Sequence, residues 1–164
     1  MKEIRLYIYT NAPVRGMDRR IYAYLMQYVR DGQETGARED RAVIESNQKG
    51  ATLEAMIASL TRINDGNEIP VSIICHCPGV ITAINQSQYD TWSRNGWRNA
   101  KGAEVEHADK WQRVKALIDH KAPHIIARPP KSGEEEIMRK LGAEMYEGRI
   151  NLPHPSKVQC GVAI

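Results

Sequence analysis

Residues Trp92 to Val114 read "WSRNGWRNAKGAEVEHADKWQRV", and the reading of the whole chain turns on this stretch. Its first half, from Trp92 to about Ala108, keeps neither a helical nor a strand period, so it is expected to form a protruding loop flanked by short helical turns. The second half changes character. Asp109 with Gln112 has the spacing of a capping box that opens a helix. Trp111, Val114, Leu117 and Ile118 then make an apolar stripe, and Pro123 lies just beyond its end.

Upstream, Ile4, Leu6 and Ile8 alternate with Arg5, Tyr7 and Tyr9, a strand pattern that delivers Asn11 to its end. "RRIYAYLMQYV" is apolar on both faces and suits a strand covered on both sides. "DGQETGARED" reads as a polar turn, and "RAVIES" as a short third strand. Leu53, Met56, Ile57 and Leu60 then switch to helical spacing. "VSIICHC" is an apolar run ended by Pro78-Gly79, a buried fourth strand, and residues 80–92 read as a helix. Downstream, "HIIAR" is a fifth strand. Ser132 with Glu135 forms a second capping box before a helix striped by Ile137, Leu141 and Met145. The order β-β-β-α-β-α-α-β-α implies an α/β fold, a five-stranded mixed sheet flanked by helices.

The chain of 164 residues suits one domain with a sizeable core, here residues 1–147, followed by an unassigned tail, 148–164. A net charge of +3 is too small to establish a nucleic-acid partner by itself. Cys75, Cys77 and Cys160 are an odd count without framework spacing, which points to a reducing cytoplasm rather than disulfides. "MKEIRLYIYT" has no apolar signal core, and no segment approaches the length of a membrane span.

The Trp92–Val114 block resembles the basic-protrusion region of type 1 ribonuclease H. That family shows a W-x-x-x-G-W turn, a lysine-rich loop and a D-x-W-Q-R helix start. Here Trp92, Gly96 and Trp97 make the turn, and Asp109, Trp111, Gln112 and Arg113 the helix start, with "SQYDTW" fitting upstream. The element order also matches, and the similarity covers roughly residues 3–147. The resemblance implies a ribonuclease H-like fold and cleavage of the RNA strand of RNA–DNA hybrids with two Mg²⁺ ions held by four carboxylates. It also implies that the three tryptophans brace the protrusion, leaving Arg94, Arg98 and Lys101 to contact phosphates.

Transferred position by position, the resemblance finds a deficit. The first-strand carboxylate falls on Asn11, the first-helix one on Glu54, the fourth-strand one on His76, and the last-helix one on Arg139. Only Glu54 is an acid. "RPPKSGEE" carries no counterpart of the family's mobile-loop histidine, and "QKGATLE" none of its minor-groove amides. Mg²⁺ prefers anionic oxygen ligands, so a useful two-ion site is not expected here. A register shift would bring Glu136 of the Glu134–Glu136 run to the fourth position, and Asp18 could lean in. Glu54 is expected to pair with Arg139 in place of metal. A zinc site at Cys75-His76-Cys77 is disfavoured because alternate strand residues face opposite sides; Cys160 or His124 could join only from a distance.

The expected function is a non-catalytic ribonuclease H-like protein that binds nucleic acid (RNA–DNA hybrid or duplex) or a protein partner, with no cofactor and no membrane. The alternative is a divergent ribonuclease H using Mg²⁺ or Mn²⁺. In a third reading, the tail segment "VQCGVAI" pairs as an edge strand with another chain.

Overall fold

The computed structural model describes residues 1–11, 19–147 and 160–163. Strands β1 (Lys2–Thr10), β2 (Arg19–Arg30) and β3 (Gln33–Glu45) form an antiparallel meander. Helix α1 (Gln48–Leu60) follows, then β4 (Val71–Ile74), α2 (Pro78–Asn85), α3 (Gln88–Arg94), α4 (Ala108–Lys121), β5 (Ile125–Arg128) and α5 (Ser132–Glu147). The expected five-stranded mixed sheet is present, with β4 parallel to both β1 and β5. A sixth strand, β6 (Cys160–Ala163), extends it, giving the order β5-β4-β1-β2-β3-β6. The tail segment read as an intermolecular strand thus pairs antiparallel with β3 of its own chain. No described helix is long and apolar enough to cross a membrane.

Alternation along β1 divides the core between two faces. Ile4, Leu6 and Ile8 pack with Leu53, Met56, Leu60, Ile73 and Trp111 beneath α1 and α4. Tyr7 points the other way and packs with Ala23, Ile74, Met138 and Leu141 under α5. Each such fully buried aliphatic side chain stabilises the fold by roughly 1.5–3 kcal/mol.

Four local expectations are corrected. The polar stretch "DGQETGARED" is a turn only at Asp31-Gly32, whose φ values of 52° and 82° suit a two-residue hairpin; the rest belongs to β3. Its exposed polar side chains mimic a loop. The single helix over 80–92 is two, broken at Ser87, which adopts φ 50°. The Asp109 capping box does not form, because α4 starts two residues earlier with left-handed His107 as N-cap; Asp109 sits in the first turn, where its charge suits the helix dipole. At α5, Ser132 is already helical, and Glu134 rather than Glu135 accepts a hydrogen bond from the Lys131 backbone, at 2.9 Å.

Candidate nucleic-acid interface and the centre beside it

Strands β1, β4 and β5 run parallel, so their C-terminal ends meet at one edge of the sheet, a common location for ligand sites. Asn11 directly follows β1 and is buried, with 6% of its surface exposed. Its backbone N–H donates to Ile21 O at 3.2 Å, and its side-chain Oδ1 accepts from Ile21 N at 2.8 Å. Arg20 Nη1 donates to the Asn11 carbonyl, also at 2.8 Å. The amide therefore prolongs the β1–β2 ladder by one residue, and its oxygen already has a donor.

Glu54 projects from α1 toward α4, where Lys110 Nζ lies 3.2 Å from its Oε1. The strand expected over Val71–Cys77 stops at Ile74, so Cys75, His76 and Cys77 lie beyond it; His76 is half-exposed, while Cys75 and Cys77 on either side are buried. Burial pushes the Cys75 thiol up to about 11, which keeps it protonated. His76 Nε2 lies 3.6 Å from Glu135 Oε2 on α5.

Arg139 does not reach Glu54. It is 65% exposed and donates through Nη2 to Glu136 Oε1 at 2.6 Å, one turn back on the same helix. The lysine at 110 takes the partnership expected of Arg139. The Glu134–Glu136 run divides three ways: Glu134 to Arg128, Glu135 to His76, Glu136 to Arg139. Asp18 lies outside the described residues, as does the Cys160 side chain.

A pair of Mg²⁺ ions, the group that the resemblance implies, takes clustered anionic oxygens. Here the first-strand oxygen is a neutral amide engaged by Ile21, and the first-helix carboxylate faces an ammonium. Among the described residues, no three His, Cys, Asp or Glu side chains are grouped to hold a metal ion. The donor set does not fit the pair.

Trp111 is 1% exposed and anchors the protrusion. Trp92 meets it edge-on with ring centres 5.5 Å apart, and Tyr89 stacks on it at 6.4 Å. Arg94, at the end of α3, and Arg98 and Lys101, on the loop that follows, are exposed, and Arg98 Nη1 donates to Gly102 O at 3.0 Å. A groove of about 430 Å³ runs between the protrusion and the first turns of α1 and α2; Lys49, Gly79, Thr82, Gln88, Trp92 and Glu106 contribute to its walls. The Lys49 ammonium lies over the start of α2, 3.3 Å from where a Cβ on Gly79 would sit.

His107 ties the protrusion to α1. Its Nε2 is 2.8 Å from Asn47 Oδ1, which also accepts the capping hydrogen bond from Gly50 N at 2.9 Å, so the ring nitrogen donates. Burial pushes the His107 pKa down, against the opposing pull of Glu106. Sequence reasoning did not single out Lys49, Lys110 or His107. Helical register carried a usable signal for one of them: with Trp111 in the core, Lys110 flanks the face of α4 that meets α1.

No family model matches the chain. Ribonuclease H of Clostridium botulinum is 24% identical over 120 residues, 70% of this chain and 75% of that protein. A type 1 ribonuclease H with the type 2 active-site motif superposes with a TM-score of 0.71 at 13% identity, covering 97% of this chain and 77% of that one. A foamy viral protease–reverse transcriptase, solved in complex with RNA/DNA hybrid, gives 0.68 at 16% identity over 91% of this chain and 20% of that one. The sheet order and these superpositions together establish that the chain has a ribonuclease H-like fold.

Proposed function

We propose that this chain is a non-catalytic ribonuclease H-fold protein that binds nucleic acid, an RNA–DNA hybrid or a duplex, through the groove and the basic protrusion. The observation that carries this reading is Asn11: at the end of the central strand stands a neutral amide whose oxygen is engaged by Ile21 N–H. A hydrolytic centre built on two dications needs negative charge there. The binding half rests on the exposed cations Arg94, Arg98 and Lys101 of the protrusion region, with Lys49 contributing a further cation to the groove, whose wall also carries Glu106. The hybrid-bound viral structure of the same fold supports the choice of ligand.

Binding of a labelled RNA–DNA hybrid across a salt series tests this reading. Replacing Arg94, Arg98 and Lys101 by Ala is expected to weaken binding and flatten the dependence of log K on log salt by up to about 3, roughly one for each phosphate no longer neutralised. An unchanged slope sinks the assignment, and absence of binding at low salt redirects the reading to a protein partner. One observation favours a divergent ribonuclease instead: Glu135 stands beside His76, which returns a carboxylate to the end of β4. Hybrid cleavage that needs Glu135 and Mn²⁺ would establish it.

A further inference from the structure

We propose that Lys110 is the permanent counter-cation of Glu54, so that nucleic acid binds this chain without any divalent ion. This deepens the non-catalytic reading above and rests on it for the identity of the ligand. The two residues come from different helices, α1 and α4, so their meeting is a tertiary feature rather than a helical neighbour effect. Lys110 Nζ lies 3.2 Å from Glu54 Oε1, and both side chains are largely withdrawn from solvent, at 21% and 27% exposure. Withdrawal weakens screening, so the partnership persists where a surface pair of long side chains would exchange with water.

Two consequences follow from that placement. A dication approaching Glu54 must displace an ammonium that is already at contact distance and tethered to α4. A polyanion approaching the same edge of the sheet meets a neutral pair instead of a bare carboxylate. Lys110 thereby removes both the attraction for metal and the repulsion of phosphate. Its neighbour Trp111 is locked in the core, which fixes the turn of α4 that presents the lysine.

The first test needs no nucleic acid. Mn²⁺ broadens nuclear resonances near wherever it binds. In millimolar Mn²⁺ the Glu54 side-chain signals of the native protein are expected to survive. In Lys110→Met they are expected to broaden, and in Lys110→Met with Glu54→Gln signals around position 54 are again sharp. Broadening in the native protein, or none in Lys110→Met, overturns the proposal.

The second test uses the hybrid. Native affinity is expected to be equal in chelator and in Mg²⁺ at matched ionic strength. Lys110→Met is expected to bind about tenfold more weakly in chelator, the size of one uncompensated charge. Adding either Mg²⁺ or Glu54→Gln restores it. If Glu54→Gln fails to restore binding, Lys110 acts by touching phosphate itself and the proposal is wrong. If the native protein binds no hybrid, the ligand assignment falls, and the Mn²⁺ result still decides the role of Lys110.

Discussion

Asn85 completes the backbone pairing of Ala127. Its Nδ2 donates to Ala127 O at 2.7 Å and its Oδ1 accepts from Ala127 N at 2.8 Å. Ala127 lies on β5, the edge strand next to β4, so the carboxamide of α2 stands where another strand would pair. An edge left open is a template for association with other chains.

Asn85→Ala is therefore expected to lower stability by about 1–3 kcal/mol, through the loss of two hydrogen bonds and an unpaired backbone group. Urea unfolding reads this as a lower midpoint with an unchanged slope. Sedimentation should show concentration-dependent association of the variant and none of the native protein.

Glu134 sets an acid limit on stability. The Arg128 guanidinium, hydrogen-bonded to it at 2.9 Å through Nη2, holds the Glu134 carboxyl down from 4.5 to about 2, against the opposing effect of burial. A carboxyl depressed in the folded state stabilises it fully above the unfolded pKa, and that stability is lost as pH falls from about 4.5 towards 2. After allowance for solvent screening, the contribution is on the order of 1–2 kcal/mol. Glu134→Gln should reduce stability near neutral pH and flatten the acid limb of the unfolding curve between those values.

Gly50 is needed for lack of a side chain, although its position in α1 would ordinarily favour alanine. A Cβ there would overlap Ser46 Oγ, lie 3.0 Å from Ser46 Cβ, and come within 2.8 Å of His107 Cε1. Serine can rotate its hydroxyl, but the imidazole is held by Asn47. Gly50→Ala should destabilise by about 1–3 kcal/mol despite its better helix propensity. His107→Ala should relieve part of that penalty in a double-mutant cycle.

Trp111 couples the core to the protrusion. Trp111→Ala is expected to cost about 3–5 kcal/mol by leaving a cavity under Trp92 and Tyr89. Trp111→Phe should keep most of the stability. Hybrid affinity should follow the same ranking, since Arg94 at the end of α3 and Arg98 on the loop after it are positioned by the Trp92–Trp111 contact.

Much of the fold was legible because its periods are clean. Ile4, Leu6 and Ile8 announce β1, the Leu53–Leu60 stripe announces α1, and the tryptophan spacing announces the protrusion. Legibility failed where an isolated backbone conformation decides. Ser87 and His107 adopt left-handed φ without being glycine, so neither the break between α2 and α3 nor the true start of α4 has a residue-type signal. The polar first half of β3 was hidden because its side chains from Gln33 to Thr35 are exposed and loop-like in type. At the candidate centre, residue types were readable and partners were not. That Asn11, His76 and Arg139 carry no carboxylate is plain in the sequence. Which cation meets Glu54 depends on how α1 and α4 pack, and the short helical distance to Glu136 gives Arg139 a nearer partner than any across the fold.

The most direct test is incubation of an end-labelled RNA–DNA hybrid with the native protein in Mg²⁺ and, separately, in Mn²⁺. The expected result is a retarded complex with the RNA strand intact over prolonged incubation. RNA fragments that appear with the native protein and vanish with Glu54→Gln would contradict it.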